Sequence, residues 1–277
     1  MVVKKHLTHI QHNYVSQYKK LHFKNNITSE LLWTFNKTSK KQKKCIYHKG
    51  IQYQFVTPNH ICKYRADTFS SKEPETLEWV DSFAEKSIFW DIGANVGIYS
   101  IYAARTKKCS VYAFEPSVFN LEILAKNINL NNQTDKISII PVAISDKSGF
   151  GKLNMSNTEW GGALSTFNKP YGYDGNILNK IFEYSLLAMS MDDASGKFKI
   201  PSPDYIKIDV DGIEHLILLG GSEVLTDVKS LLIEVSIKFK EQKNNSQEYL
   251  KKAGLTLVRG FINGTTEDTV NQIWIRR

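Results

Sequence analysis

The stretch "FWDIGANVGIYS", Phe89 to Ser100, sets a carboxylate, Asp91, directly ahead of a loop holding Gly93, Ala94, Asn95 and Gly97. Large apolar residues lead into it, which predicts a buried strand, a tight turn and a helix. A dinucleotide-binding turn needs G-x-G-x-x-G, but counting from Gly93 the later glycine positions hold Asn95 and Ile98. Asp91 argues the same way, since a carboxylate repels a pyrophosphate. A cationic ligand reverses the objection. S-adenosylmethionine carries a sulfonium and an ammonium; Asp91 can accept from the latter, while Gly93 and Gly97 let the backbone come close. The plainer alternative is a glycine turn capped by Asp91.

A second carboxylate, Glu115 in "YAFEPS" with Pro116 after it, closes the next strand. An acid there suits both ribose hydroxyls of an adenosyl ligand. "AISDKSG" ends a third strand with Asp146, placed either to accept from the adenine amine or simply to form the turn. A fourth cluster, "YIKIDVDGIEH", gathers Lys207, Asp209, Asp211, Glu214 and His215. Methyl transfer is an in-line displacement, so rate comes chiefly from alignment in a dry site. An oxygen nucleophile would also need a base, worth roughly 10²- to 10⁴-fold. Asp209 or Asp211 is the leading base, and Lys207 orients a carboxylate or steadies the developing alkoxide. For Lys207 and Glu214 the alternative is a salt bridge locking the turn; for His215 an ordinary place on a helix surface is favoured. Paired carboxylates admit Mg²⁺, but the charge of Lys207 opposes it, so no metal is expected. Glu234, in "IEVS", either faces this pocket or is a buried structural acid.

These residues need strand tips to hold them. From Ser87 onward apolar runs of strand length alternate with helical periodicity: "SIFWDIG", "CSVYAFE", "KISIIPVAI", "YIKIDV" and "SLLIEVS" are predicted strands. "NVGIYSIYAART", "VFNLEILAKNINLN", "IEHLILLGGSEVL" and a segment near "SQEYLKKAG" are predicted helices, and "LTLVRGF" with "NQIWIRR" a closing hairpin. This alternation implies a doubly wound parallel α/β sheet. "IQYQFV" is a short strand and "PETLEWVDSFAEK" a helix started by Pro74. The expected organisation is an N-terminal α/β appendage over 1–70 and a main domain over 71–277, with a substrate-facing insertion around 150–203. There periodicity fades into a stretch rich in Gly, Asn and aromatics.

Composition sets the outer limits. The 277 residues carry 42% hydrophobic side chains, enough for a sizeable core. No run of apolar residues is long enough to cross a membrane and the start lacks a secretory signal, so a cytoplasmic location is expected. Cys45, Cys62 and Cys109 are too few and too scattered for a disulfide framework. The net charge of +8 is concentrated early, in "KKQKK" (Lys40 to Lys44) and in Lys4, Lys5, Lys19 and Lys20. That region suits peripheral contact with an anionic membrane surface; no nucleic-acid partner is expected, because no recognition module accompanies it.

In order, "EPETLEWVDSFAEKSIFWDIGANVGIYSIYAA", "YAFEPS", "AISDKSG" and "YIKIDVDGIEHLILLGGSEVL…IEVS" resemble the FkbM family of S-adenosylmethionine-dependent methyltransferases. The resemblance implies the class I methyltransferase fold, a seven-stranded sheet whose last strand is antiparallel, and O-methylation of a hydroxyl on a sugar, glycan or glycosylated natural product. It departs at Asp211, where the family usually has the longer Glu. The resulting set is Glu75, Asp91, Gly93, Ala94, Asn95, Gly97, Glu115, Pro116 and Asp146 for the cofactor. Lys207, Asp209, Asp211 and Glu214 serve catalysis, and Trp160, Gly161, Gly162 and Glu234 face the acceptor. A nucleotide-binding oxidoreductase and a non-catalytic module of the same fold are the competing readings.

Overall fold

Alternating side chains fold 43–56 into a hairpin of β1 (Lys43–His48) and β2 (Ile51–Val56), the first elements in a computed structural model that describes residues 42–262 and 268–277. Lys4, Lys5, Lys19, Lys20, Lys40 and Lys41 lie outside the described residues. Helix α1 (His60–Asp67) starts at Asn59, whose side chain accepts from Cys62 N, and α2 (Pro74–Asp81) starts at Pro74. The outer edge of β2 is not left open: Val56 N donates to Asn127 Oδ1 at 2.8 Å, and Gln54 exchanges bonds with the Asn131 amide. Tyr53, Phe55 and Phe69 are buried in one apolar cluster with Tyr102 and Leu124, so 43–69 share a core with the main α/β domain.

The βαβ alternation then appears as β3 (Ile88–Ile92), α3 (Ile98–Lys107), β4 (Ser110–Phe114), α4 (Val118–Leu130) and β5 (Ile137–Ile140). Next come β6 (Ala143–Ile144), β7 (Gly149–Met155), β8 (Ser165–Phe167), β9 (Phe182–Met189) and α5 (Met191–Gly196). Then follow β10 (Tyr205–Ile208), α6 (Glu214–Leu219), β11 (Ser230–Ser236), α7 (Lys240–Lys252), β12 (Leu255–Ile262) and β13 (Thr269–Arg276). The main sheet runs β12-β13-β11-β10-β3-β4-β5. All neighbours from β11 to β5 are parallel, whereas β13, the last strand, is antiparallel to both β11 and β12 and inserts between them. Alternation on the strands splits the core: Phe89, Val111 and Tyr205 face α2, α3 and α4, while Trp90, Ile92, Ile206 and Ile208 face the other layer. Because β3 and β10 are neighbours in parallel register, with Asp91 opposite Lys207, the two richest motifs meet at one sheet end.

Three expectations need correction. "KISIIPVAI" is not one strand; β5 belongs to the main sheet and β6 to a second one. The stretch from Gly149 is not a loop insertion either, but a sheet of order β6-β9-β7-β8, in which Gly149–Met155 pairs antiparallel with Phe182–Met189. Its inner residues Leu153, Met155 and Phe167 join the core. The predicted helix at "IEHLILLGGSEVL" stops at Gly220 and resumes only as a 3₁₀ turn at Val224–Thr226. All three cysteines are free thiols, and no helix among the described residues is long and apolar enough to cross a membrane.

Candidate functional site: two cavities that share Asp209

Backbone contact fixes the glycine loop after β3. Gly93 has φ +85°, and a Cβ there would lie 1.9 Å from the Asp209 carbonyl oxygen, so only glycine lets this loop rest on the end of β10. Gly97 has φ +83° and abuts Leu124 of α4. Asp91 lies beneath the loop, 1% exposed, where Ser100 Oγ donates to its Oδ2 at 2.5 Å. Its Oδ1 is buried without a hydrogen-bond partner among the described residues. Burial pushes this carboxyl up, and the nearby Lys207 ammonium opposes the shift.

Two cavities open on either side of the loop. The first, about 580 Å³ and open to solvent, is walled by Glu115 and Pro116, the apolar run Val142, Ala143 and Ile144, and Phe167 and Leu153 of the second sheet. Glu115 is 4% exposed, and accepts from Asn95 N at 2.7 Å and Ser117 N at 2.8 Å. Burial raises its carboxyl to about 7, although those backbone donors pull the other way. The second cavity, about 470 Å³, lies between α1 and the loop and is walled by Arg65, Lys72, Glu73, Tyr99 and Lys207. Gly93, Asn95 and Asp209 belong to both walls.

Asp209 stands just past β10, its side chain 30% exposed, with its Oδ2 2.6 Å from the buried Lys207 Nζ. Burial alone would raise its carboxyl, but Lys207 and Lys72 outweigh that and hold it below the usual range. Lys207 is shifted up despite burial, because Asp209, Asp91 and Glu73 surround it. Asp211 adopts φ +64°, walls the first cavity and accepts from Leu164 N at 2.6 Å; burial and then the Asp209 charge bring its carboxyl to about 6. Asp209 and Asp211 therefore differ in protonation behaviour.

Glu214 plays another part. It is 1% exposed, accepts from Val210 N at 3.2 Å and Gly212 N at 3.0 Å, and is held by Gln242 of α7. It locks the turn that carries Asp209 and Asp211, through amides rather than through a salt bridge to Lys207. His215 is buried, 2% exposed, its ring against Phe239, and does not sit on a helix surface. Glu234 accepts from Thr269 Oγ1 at 3.2 Å. Burial and the neighbouring Asp209, Asp211, Glu214 and Glu73 push its carboxyl far up. Among the described residues no group of three His, Cys, Asp or Glu is arranged to hold a metal ion.

Most of the other residues singled out by sequence fall elsewhere. Glu75 is buried against β13, accepting from Asn271 Nδ2 at 3.1 Å. Glu73 reaches the second cavity instead, receiving the Tyr99 hydroxyl at 2.8 Å and pairing with Lys72 at 2.6 Å. Asp146 bonds Ser145 Oγ at the turn after β6 and walls neither of the two cavities. Trp160 directs its indole N–H to Glu122 of α4 at 3.1 Å. Gly161 and Gly162 run between α1 and α4, and Gly162 walls the first cavity beside Glu115. Sequence reasoning passed over Arg65, Lys72, Glu73 and Tyr99 altogether. The only signal for Glu73 was its place ahead of the helix-starting Pro74.

The model of the methyltransferase FkbM domain matches residues 91–256. The chain is 23% identical over 154 residues to the hexuronic acid methyltransferase AglP of Haloferax volcanii, a match covering 54% of this chain and 56% of that protein. The chain thus aligns with little more than half the length of that curated relative. Among solved structures it is similar to M. jannaschii TYW2 in complex with AdoMet (TM-score 0.45, 14% identity, 86% of this chain and 88% of that one). It is also similar to Aeropyrum pernix fibrillarin with natively bound S-adenosyl-L-methionine (TM-score 0.49, 8% identity, 85% and 84%). With the family model covering more than half of its length, the chain belongs to the FkbM methyltransferase domain family.

Proposed function

We propose that this enzyme O-methylates a hydroxyl of a sugar or glycan, with the cofactor spanning both cavities and the acceptor meeting it beside Asp209. The observation that carries this reading is the shared wall: a ligand crossing from one cavity to the other must pass Gly93, Asn95 and Asp209. The residues suit the cofactor at both ends. Glu115 offers two oxygens to a ribose, and Val142, Ile144 and Phe167 offer an apolar slot for a purine. The second cavity mixes cations, Arg65 and Lys72, with anions, Glu73 and Asp209, as a zwitterionic amino-acid end requires. When bound, S-adenosylmethionine supplies an electrophilic methyl group.

The protein's own part is to position and to move one proton. Asp209, ionised by Lys207, faces cationic charge at the junction of the cavities. Asp211, titrating near 6, is the better matched base, since it is ionised at neutral pH yet basic enough to take a hydroxyl proton. Asp91 lies below the loop as a support. The hexuronic acid activity in the name of the H. volcanii relative favours a sugar acceptor. Incubation with S-adenosylmethionine and a panel of hexuronates, neutral hexoses and their glycosides tests the reading. Release of S-adenosylhomocysteine with a sugar, and a new O-methyl group on it, is expected. Turnover only with non-sugar acceptors would overturn the assignment.

A further inference from the structure

Three successive carbonyls, those of Trp160, Gly161 and Gly162, are each held by side chains from other elements. Asn59 Nδ2 at 3.0 Å and Cys62 Sγ at 3.3 Å donate to Trp160 O. Arg65 Nε donates to Gly161 O at 2.8 Å, and Asn95 Nδ2 at 2.8 Å and Asn120 Nδ2 at 3.1 Å donate to Gly162 O. Asn120 Oδ1 also accepts from Gly161 N at 3.0 Å. The segment is a strap stitched from α1 to α4. Gly162 and Ala163 wall the first cavity, while Arg65 walls the second. Two adjacent glycines bring no side chains to pack, so the strap's position depends on these bonds.

Arg65 connects the two spaces. Its Nε is spent on the strap, and its Nη groups make no hydrogen bond among the described residues. Its charge acts on Glu115 and Asp211 of the first cavity and on the shared Asp209. It also lies in a segment before the matched domain, which begins at 91. A guanidinium is a planar fork that binds a carboxylate through two N–H groups while a third points elsewhere. We propose that Arg65 couples the cavities: a carboxylate held by its Nη groups in the second cavity fixes the guanidinium where its Nε holds Gly161, tightening the strap over the adenosyl moiety. The inference rests on the placement of the cofactor's amino-acid end in the second cavity. Arg65 is a positioning residue for the strap, and through it the enzyme senses whether its nucleoside ligand carries an α-carboxylate.

Hydrogen–deuterium exchange of the full chain across 157–165 tests this, with saturating S-adenosylhomocysteine compared with 5′-methylthioadenosine, which lacks the amino-acid end. Exchange several-fold slower with S-adenosylhomocysteine is expected. Arg65→Ala should erase the difference, Arg65→Lys should restore part of it, and Arg65→Ala should weaken S-adenosylhomocysteine by about tenfold or more with far less effect on methylthioadenosine. Equal protection by the two ligands in the parent overturns the proposal without any variant, as does a difference that survives Arg65→Ala. Failure of both ligands to bind the parent would contradict the cofactor placement itself, and the proposal with it.

Discussion

Lys207 Nζ lies 2.6 Å from Asp209 Oδ2 and 5.0 Å from the centre of the Tyr99 ring, so one buried ammonium fixes both the charge and the direction of the carboxylate that the two cavities share. The sign of its effect follows from the lowered Asp209 carboxyl: the stabilisation is present above the usual carboxylate range and is lost as pH falls through the lower folded value. In Lys207→Met the acid limb of cofactor binding should move up by about one pH unit or more, with Lys207→Arg close to the parent. Calorimetric titrations across pH check this; an unmoved acid limb in a folded Lys207→Met protein counts against it.

Asp211 and Glu214 should separate chemistry from architecture. Asp211→Asn is expected to lower kcat by about 10²-fold or more while cofactor affinity stays near the parent's, because it removes a proton acceptor needed only during transfer. The acid limb of kcat in the parent should fall near the Asp211 value of about 6. Glu214→Ala should instead lower Tm, since Gly212 N and Gln242 lose a buried partner, at about 1–3 kcal/mol. Thermal melts and single-turnover rates on both variants distinguish the two roles.

Glu115 predicts a proton linkage. Burial raises its carboxyl to about 7, so the folded state binds more protons than the unfolded chain between about 4.5 and 7. Stability from this group therefore falls as pH rises through that window. Ribose hydroxyls are donors that favour the ionised form, so S-adenosylmethionine should bind more tightly from pH 6 to 8 and release protons near pH 7. Calorimetry in buffers of different ionisation enthalpy measures that release directly.

At Gly93 the outcome is governed by backbone. An added Cβ meets the Asp209 carbonyl at 1.9 Å and must sit at φ +85°, so Gly93→Ala should be strained by about 1–3 kcal/mol and displace the loop from β10. Gly97→Ala meets only side chains, Leu124 closely and Ile101 at ordinary contact, and the Leu124 side chain can turn aside, though its φ of +83° is also strained. A lower Tm and weaker cofactor binding in Gly93→Ala than in Gly97→Ala is the expected order.

The placement of Glu115 and Asp209 on the cavity walls was legible because strand tips carry local signals, whereas Asp91 lies beneath the loop. Asp91, Glu115 and Asp209 each end an apolar run, and parallel pairing brings such ends together. Glu73 and Glu75 were not separable, because Pro74 marks a helix start without saying which neighbour faces inward. Two residues along a helix turn through roughly 200°, which sends Glu75 to Asn271 and Glu73 to the cavity. The second sheet was hidden by distance in sequence: Gly149–Met155 finds its partner beyond a long excursion, and two glycines weaken its own strand pattern. His215 was misplaced for a related reason, since its neighbour Phe239 comes from the flank of another helix.

The most direct test of the account is a matched pair of titrations, S-adenosylmethionine and 5′-methylthioadenosine, into the parent, Glu115→Ala and Asp209→Asn. If the adenosyl end fills the first cavity and the amino-acid end the second, Glu115→Ala weakens both ligands by a similar factor, about tenfold or more. Asp209→Asn then weakens S-adenosylmethionine alone. Loss of methylthioadenosine affinity in Asp209→Asn, or unchanged binding of both ligands in a folded Glu115→Ala, would contradict a cofactor that spans the two cavities at Asp209.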